Sequence, residues 1–101
     1  MPFHIETWDK PGHAQLRRDL RPAHLGFLEQ HASLLIACGA KLEDDGADAG
    51  GGIYIVDTED RQQAERFILS DPFHVGGLFR DVRITRWRKA YVDRRCHLPK
   101  P

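Results

Sequence analysis

The sequence lacks most of the features that would assign it to a class at once. Its two cysteines, Cys38 and Cys96, are too few for the disulfide frameworks that staple small secreted domains. Lys plus Arg number 15 and Asp plus Glu also 15, so the chain carries no net charge at neutral pH. A general nucleic-acid binder is usually basic with its charge on one face, and this balance argues against that class. No apolar run approaches the ~18 residues that span a bilayer; the clearest one, Leu34 to Ala40, is far shorter. No apolar stretch follows a basic start at the N-terminus. No nucleic-acid partner, no membrane partner and a reducing, cytoplasmic setting are therefore expected.

Cofactor signatures are missing too. Asp44 to Gly52 is rich in glycine and aspartate, but it lacks a Gly-Lys-Ser/Thr ending and precedes a strand instead of linking a strand to a helix. It reads as a flexible loop, with no phosphate or dinucleotide cradle. The six histidines, at positions 4, 13, 24, 31, 74 and 97, show no His-x3-His pattern, and the cysteines show no Cys-x2-Cys. No cofactor and no dedicated metal site are expected. An incidental divalent ion is conceivable only where His24, Asp71 and His74 meet. There is no internal repeat at solenoid period.

What is present is a chain of 101 residues, read as one domain over 1–101 with a core of about 3–92 and a polar tail at 93–101. Phe3 to Trp8 alternate with period two and predict a strand, ended by Pro11-Gly12. Leu20, His24, Leu25, Leu28 and Ala32 fall at helical spacings, so a helix is predicted with Pro22 in its first turn and His24 on or beside the apolar stripe. Leu34 to Ala40 predicts a second strand, with Cys38 as a buried thiol, and Ile53 to Asp57 a third. Thr58 or Asp60 caps a helix running to about Leu69, with Ala64, Phe67 and Ile68 facing inward. Asp71-Pro72 stops it, because the residue before proline is pushed away from helical geometry. After a turn at Gly76-Gly77, a last long strand is predicted over about Phe79 to Val92. Cys96-His97 reads as part of a disordered tail.

The resulting order is β-α-β-β-α-β, an α+β antiparallel four-stranded sheet. Two helices cover only one face of such a sheet, yet Trp8, Trp87 and Tyr91 are expected on the other. A homodimer that joins two sheets through their open faces is the economical solution, and its cleft is a natural small-molecule site.

Two short motifs carry the chemistry. Arg21-Pro22-Ala23-His24-Leu25 and Ser70-Asp71-Pro72-Phe73 each place one proton-moving residue beside a proline. Imidazole titrates near neutral pH, and a carboxylate can orient and tune it. His24 is thus the candidate general base or acid and Asp71 the residue that fixes its tautomer. Arg21, one turn before His24, is the candidate anchor for an anionic substrate group; Phe73 and Trp87 are candidate walls. The plain alternatives are a half-buried His24 donating to a carbonyl, and an Asp71 that caps the short segment after Pro72.

These motifs, with Ala37-Cys38-Gly39-Ala40 and Gly77-Leu78 in the same order, resemble those of the YCII-related (YciI-like) proteins from Phe3 to about Val92. The resemblance implies a ferredoxin-like fold that dimerises as an α+β barrel, with a His and an Asp at its site that map to His24 and Asp71. One branch of the family looks like an enzyme that removes chloride from chlorinated hydroxyhydroquinones. The expected function is therefore small-molecule acid–base chemistry of the lyase, isomerase or dehydrochlorinase type. The alternative is a non-catalytic, metabolite-binding dimeric domain.

Overall fold

In a computed structural model describing residues 1–100, seven of the first nine residues form strand β1 (Phe3–Asp9). Phe3, Ile5 and Thr7 point inward and are fully buried, while the alternate residues His4, Glu6 and Trp8 are half-buried on the other face. This is the two-residue period of a strand between a core and an open surface. The remaining elements are α1 (Ala14–Gln30), a single 3-10 turn (Ala32–Leu34), β2 (Leu35–Leu42), β3 (Asp48–Val56), α2 (Arg61–Ser70), α3 (Pro72–Val75), β4 (Phe79–Arg86) and the short strands β5 (Tyr91–Val92) and β6 (Arg95–Cys96). The four long strands form one antiparallel sheet in the order β2-β3-β1-β4, the ferredoxin-like arrangement.

The register aligns Phe3 with Val56 and Arg86, and Ile5 with Tyr54 and Ile84. Phe3, Ile5, Tyr54 and Val56 meet Phe27 of α1 and Ala64, Phe67 and Ile68 of α2 in the main core. The predicted inward stripe of α2 is therefore the observed one. Asp60 rather than Thr58 is its cap, accepting a hydrogen bond from Gln62 N at 2.9 Å.

The expected dimeric α+β barrel is not what this chain forms. Strands β2 and β4 are the two edges of an open sheet. By itself the chain has four strands, half of the about eight that closure takes, so the sheet stays open. Part of the open face is covered by the chain's own side chains. Lys41 Nζ lies 4.2 Å above the Trp8 ring and 3.4 Å from Glu6, a cation–π contact reinforced by an ion pair.

Five local expectations also change. Helix α1 starts at Ala14, so Pro22 sits inside it. The carbonyl left without a donor is that of Arg18, an exposed residue, where water can replace the lost bond. The buried stripe of α1 is His24 and Phe27, while Leu25 is exposed.

The glycine tract 50–52 belongs to β3 and not to a loop, which shrinks to residues 43–47. Gly51 has φ +155°, and a Cβ there would overlap the Thr7 carbonyl oxygen; glycine alone lets β3 run this close to β1. Strand β4 ends at Arg86. Residues 91–96 fold back as a β5–β6 hairpin, whose turn residues Asp93 and Arg94 have φ 50° and 67°, the backbone of a tight two-residue hairpin turn. Cys96-His97 is thus held by a hairpin, with His97 N donating to Ala90 O at 2.7 Å. Pro101, the last residue of the predicted tail, lies outside the described residues. No helix among the described residues is long and apolar enough to cross a membrane.

Candidate functional site

The break between α2 and α3 builds the site. Asp71 precedes Pro72 and adopts an extended conformation (φ −62°, ψ 130°), as a pre-proline residue should. Pro72 then opens the single-turn helix α3, and Asp71 caps it: Oδ1 accepts from Phe73 N at 2.8 Å. The capping role that served as the plain alternative for Asp71 is real. It coexists with a second role, because the same carboxylate is fully buried and faces His24.

His24 Nδ1 lies 2.9 Å from both oxygens of Asp71. Tyr54, reaching in from β3, donates its hydroxyl to Oδ2 at 3.1 Å. The carboxylate therefore receives three different donors, which compensates its burial. An ionised carboxylate only accepts, so the Nδ1 nitrogen must carry the proton. Nε2 has no hydrogen-bond partner among the described residues, and His24 lines a cleft of about 210 Å³. A paired imidazole and carboxylate with one ring nitrogen left to a cleft is the arrangement of an acid–base dyad.

Phe73 lies flat against His24, with ring centroids 3.9 Å apart and planes inclined by 13°. On Phe73 rests the Arg17 guanidinium, 4.7 Å from the ring centroid. Arg17 is itself held, donating to Asp9 Oδ2 at 2.9 Å and to Gly51 O at 3.2 Å. Helix periodicity explains the grouping: Arg17, Arg21 and His24 are spaced by four and three residues and share one face of α1.

Buried charge governs the titration of two neighbours. Burial first, then the charge of Asp71 and the hydrogen bond to it, push the Tyr54 phenol far above its usual range. Tyr54 thus stays a neutral donor. Cys38 is not the buried thiol expected but an exposed residue of edge strand β2, on the wall of the cleft. Its thiol is nevertheless pushed up, by partial burial and then by the Asp71 charge.

Of the five residues singled out in the sequence, the structure brings together four: His24, Asp71, Arg21 and Phe73. Trp87 is elsewhere. It follows the end of β4, with its backbone N–H on Pro2 O at 3.1 Å, and does not line the cleft. His74 is turned toward Phe79, and no group of three or more metal-ligating side chains forms among the described residues. Sequence reasoning missed Arg17 and Tyr54. The spacing of Arg17 to Arg21 and His24 was a usable signal. Nothing in the sequence marked Tyr54, which was read only as a strand residue.

The sequence model of the YCII-related domain matches residues 1–88. Among solved structures, the fold is similar to that of a 5-chloro-2-hydroxyhydroquinone dehydrochlorinase from Burkholderia phenoliruptrix, in complex with 2,5-dihydroxybenzoquinone. The TM-score is 0.79 at 33% sequence identity, covering 87% of this chain and 94% of that one. A search of curated protein sequences found no match. Matched over nearly nine-tenths of its length and folded like that dehydrochlorinase, the chain belongs to the YCII-related family.

Proposed function

We propose that this protein is an acid–base enzyme that eliminates hydrogen chloride from a small chlorinated hydroxyhydroquinone-like ring. The observation that carries this reading is the His24–Asp71 pair, with Nδ1 bound to the carboxylate and Nε2 left to a cleft of about 210 Å³. That volume suits a single six-membered ring and is below the usual range for drug-sized ligands. The similarity to a dehydrochlorinase supports the choice of reaction.

In the proposed cycle, Nε2 of His24 removes a phenolic proton and the electron pair moves into the ring. The imidazolium returns the proton to the chlorine-bearing carbon. A second phenolic O–H is then deprotonated, its electrons form a carbonyl, and chloride leaves with the carbon–chlorine bonding pair. The sum is loss of HCl, with the ring oxidised to the quinone level as the carbon–chlorine bond is reduced, so no external oxidant enters. Asp71 holds the tautomer and stabilises the imidazolium. Phe73, stacked on the imidazole, holds the His24 ring plane at the cleft, and the exposed guanidinium of Arg21 binds an oxygen anion. Proton transfer of this kind contributes about 10²–10⁴-fold, enough for an acidic phenol whose ring already activates the leaving group. A reducing, cytoplasmic setting is part of the same proposal, because both cysteines are free.

The test is chloride release from 5-chloro-2-hydroxyhydroquinone, followed by electrode and by the absorbance of the quinone product. Wild type should release chloride, and His24→Ala and Asp71→Asn should lose about 100-fold or more with unchanged circular dichroism. Tight binding of the ring without chloride release would leave the binding-module alternative standing and end the catalytic reading.

A further inference from the structure

Strand β2 brings a thiol to the cleft of the base. In the antiparallel register Cys38 pairs with Tyr54 of β3, and residues directly opposite share one face of a sheet. The Cys38 side chain therefore points to the helix-covered side, where the Tyr54 hydroxyl binds Asp71. There it lines the same cleft as His24, with Leu25 and Leu28 of α1 giving that cleft an apolar side. The thiol is exposed and in no disulfide.

A second feature shows what kind of guest the cleft takes. The His24 side chain is only 10% exposed, and its Nδ1 is committed to Asp71. Nε2 has no partner among the described residues and opens onto the cleft. One buried lone pair and one thiol thus share about 210 Å³, a volume that a single six-membered ring fills. A ring seated there meets both.

We infer that Cys38 is an arylation site for quinones: a ring of this class held in the cleft is captured by the Cys38 sulfur, with His24 taking the thiol proton. The thioether left behind blocks the base. The inference rests on the function proposed above for its supply of quinone, since that reaction ends at the quinone level. Its own step balances without a further reagent. Nε2 removes the S–H proton, and the sulfur electron pair forms a bond to a ring carbon conjugated with a carbonyl. The carbon–carbon π pair moves toward the carbonyl oxygen, which takes the proton back from the imidazolium. The hydrogen on the substituted carbon then shifts to the second carbonyl oxygen, leaving an aromatic hydroquinone thioether. The quinone is reduced and the sulfur supplies the electron pair. Burial and the Asp71 charge hold the thiol protonated, so it is spent only where a base can act on it. Quinone that leaves promptly does no harm; quinone that accumulates closes the site.

The experiment exposes the protein near neutral pH to limiting 1,4-benzoquinone and compares Cys38 with Cys96 by mass spectrometry of tryptic peptides. Cys96, free and exposed on β6, is an internal reference outside the cleft. Cys38 should be arylated about tenfold faster or more, because the ring is held beside it. Iodoacetamide, which is no ring and is not held there, should show no such preference. In His24→Gln the side-chain amide still donates to Asp71 but takes no proton, and arylation of Cys38 should fall about 100-fold while that of Cys96 stays the same. Should this variant fail to fold, the comparison of the two reagents on wild type decides alone. Equal arylation of the two cysteines, the same preference with iodoacetamide, or an unchanged Cys38 rate in folded His24→Gln would overturn the site. Chloride release is read separately. A protein that captures quinone at Cys38 but releases no chloride keeps the arylation site and loses the proposed reaction, and the opposite result keeps the reaction alone.

Discussion

Both carboxylate oxygens of Asp71 lie 2.9 Å from Nδ1 of His24. An Asp that only accepts hydrogen bonds leaves neutral His24 one tautomer, with the proton on Nδ1 and a lone pair on Nε2. Asparagine at 71 can donate its amide N–H to Nδ1 and so reverse the assignment. Nitrogen-15 correlation spectra should then show the proton on Nε2 in Asp71→Asn, alongside a loss of about 10²–10⁴ in turnover. An unchanged tautomer in this variant would mean that Asp71 does not set the state of the base.

Tyr54 is the second donor to that carboxylate. Tyr54→Phe removes a buried hydrogen bond to a charged group and should cost about 1–3 kcal/mol in urea unfolding near neutral pH. The sign of its pH dependence follows from the raised phenol pKa. The native state holds the protonated phenol, so its contribution is complete below the ordinary value of about 10 and falls as pH rises beyond it, where the unfolded chain ionises first. The stability gap between wild type and Tyr54→Phe should therefore narrow between neutral pH and about pH 11. A constant gap would show that the phenol does not ionise on unfolding over this range.

Cys38 reports the reach of the Asp71 charge. Its thiol is raised above 9.0, so alkylation by iodoacetamide, which needs the thiolate, should have its midpoint above that value. In Asp71→Asn the midpoint should move down while remaining raised, because burial is the larger cause and persists. Measuring both on a Cys96→Ser background isolates the site. Identical profiles with and without the charge would place Asp71 out of electrostatic range of β2.

Gly51 tests the packing behind the cleft. Alanine there meets the Thr7 carbonyl oxygen at a φ of +155° that side-chain-bearing residues rarely adopt. Gly51→Ala should lose about 3 kcal/mol or more. Since Gly51 O also accepts from Arg17, the guanidinium on the cleft wall should loosen with it. A fully stable Gly51→Ala protein would mean that β3 can shift away from β1.

Most of this site was legible because it depends on local rules. Proline after Asp71 ends α2, a short polar side chain at that break becomes a cap, and an apolar stripe at helical spacing turns His24 inward. The strand order followed from periodicity in the same way. What escaped depended on contacts made across the fold. Pro22 looked like a helix start because its cost in the interior depends on whether water can reach Arg18. Gly50 to Gly52 looked like a loop because glycine serves equally for flexibility and for close backbone approach, and only the neighbouring Thr7 distinguishes the two. Cys38 looked buried because a run of apolar residues does not reveal that its strand is an edge. Trp87 was assigned to the cleft on the assumption that β4 continued straight to Val92, whereas the strand ends at Arg86. Arg17 sits in a stretch too polar to stand out, and its place on the cleft wall arises from Asp9, Gly51 and Phe73 converging on it.

Position 71 leaves sequence drift almost no room. Asparagine would keep the cap on α3 but lose the acceptor-only charge. Glutamate would keep the charge but place it one methylene too far for the bond to Phe73 N. Serine would cap and yet leave both His24 and Tyr54 short of an acceptor. Each neighbouring substitution fails at a different contact, so a saturation library at this codon should return aspartate alone when selection requires both a folded chain and a working base. Selection for folding alone should return a wider set led by asparagine, and the difference between the two lists would separate what the residue does for architecture from what it does for chemistry.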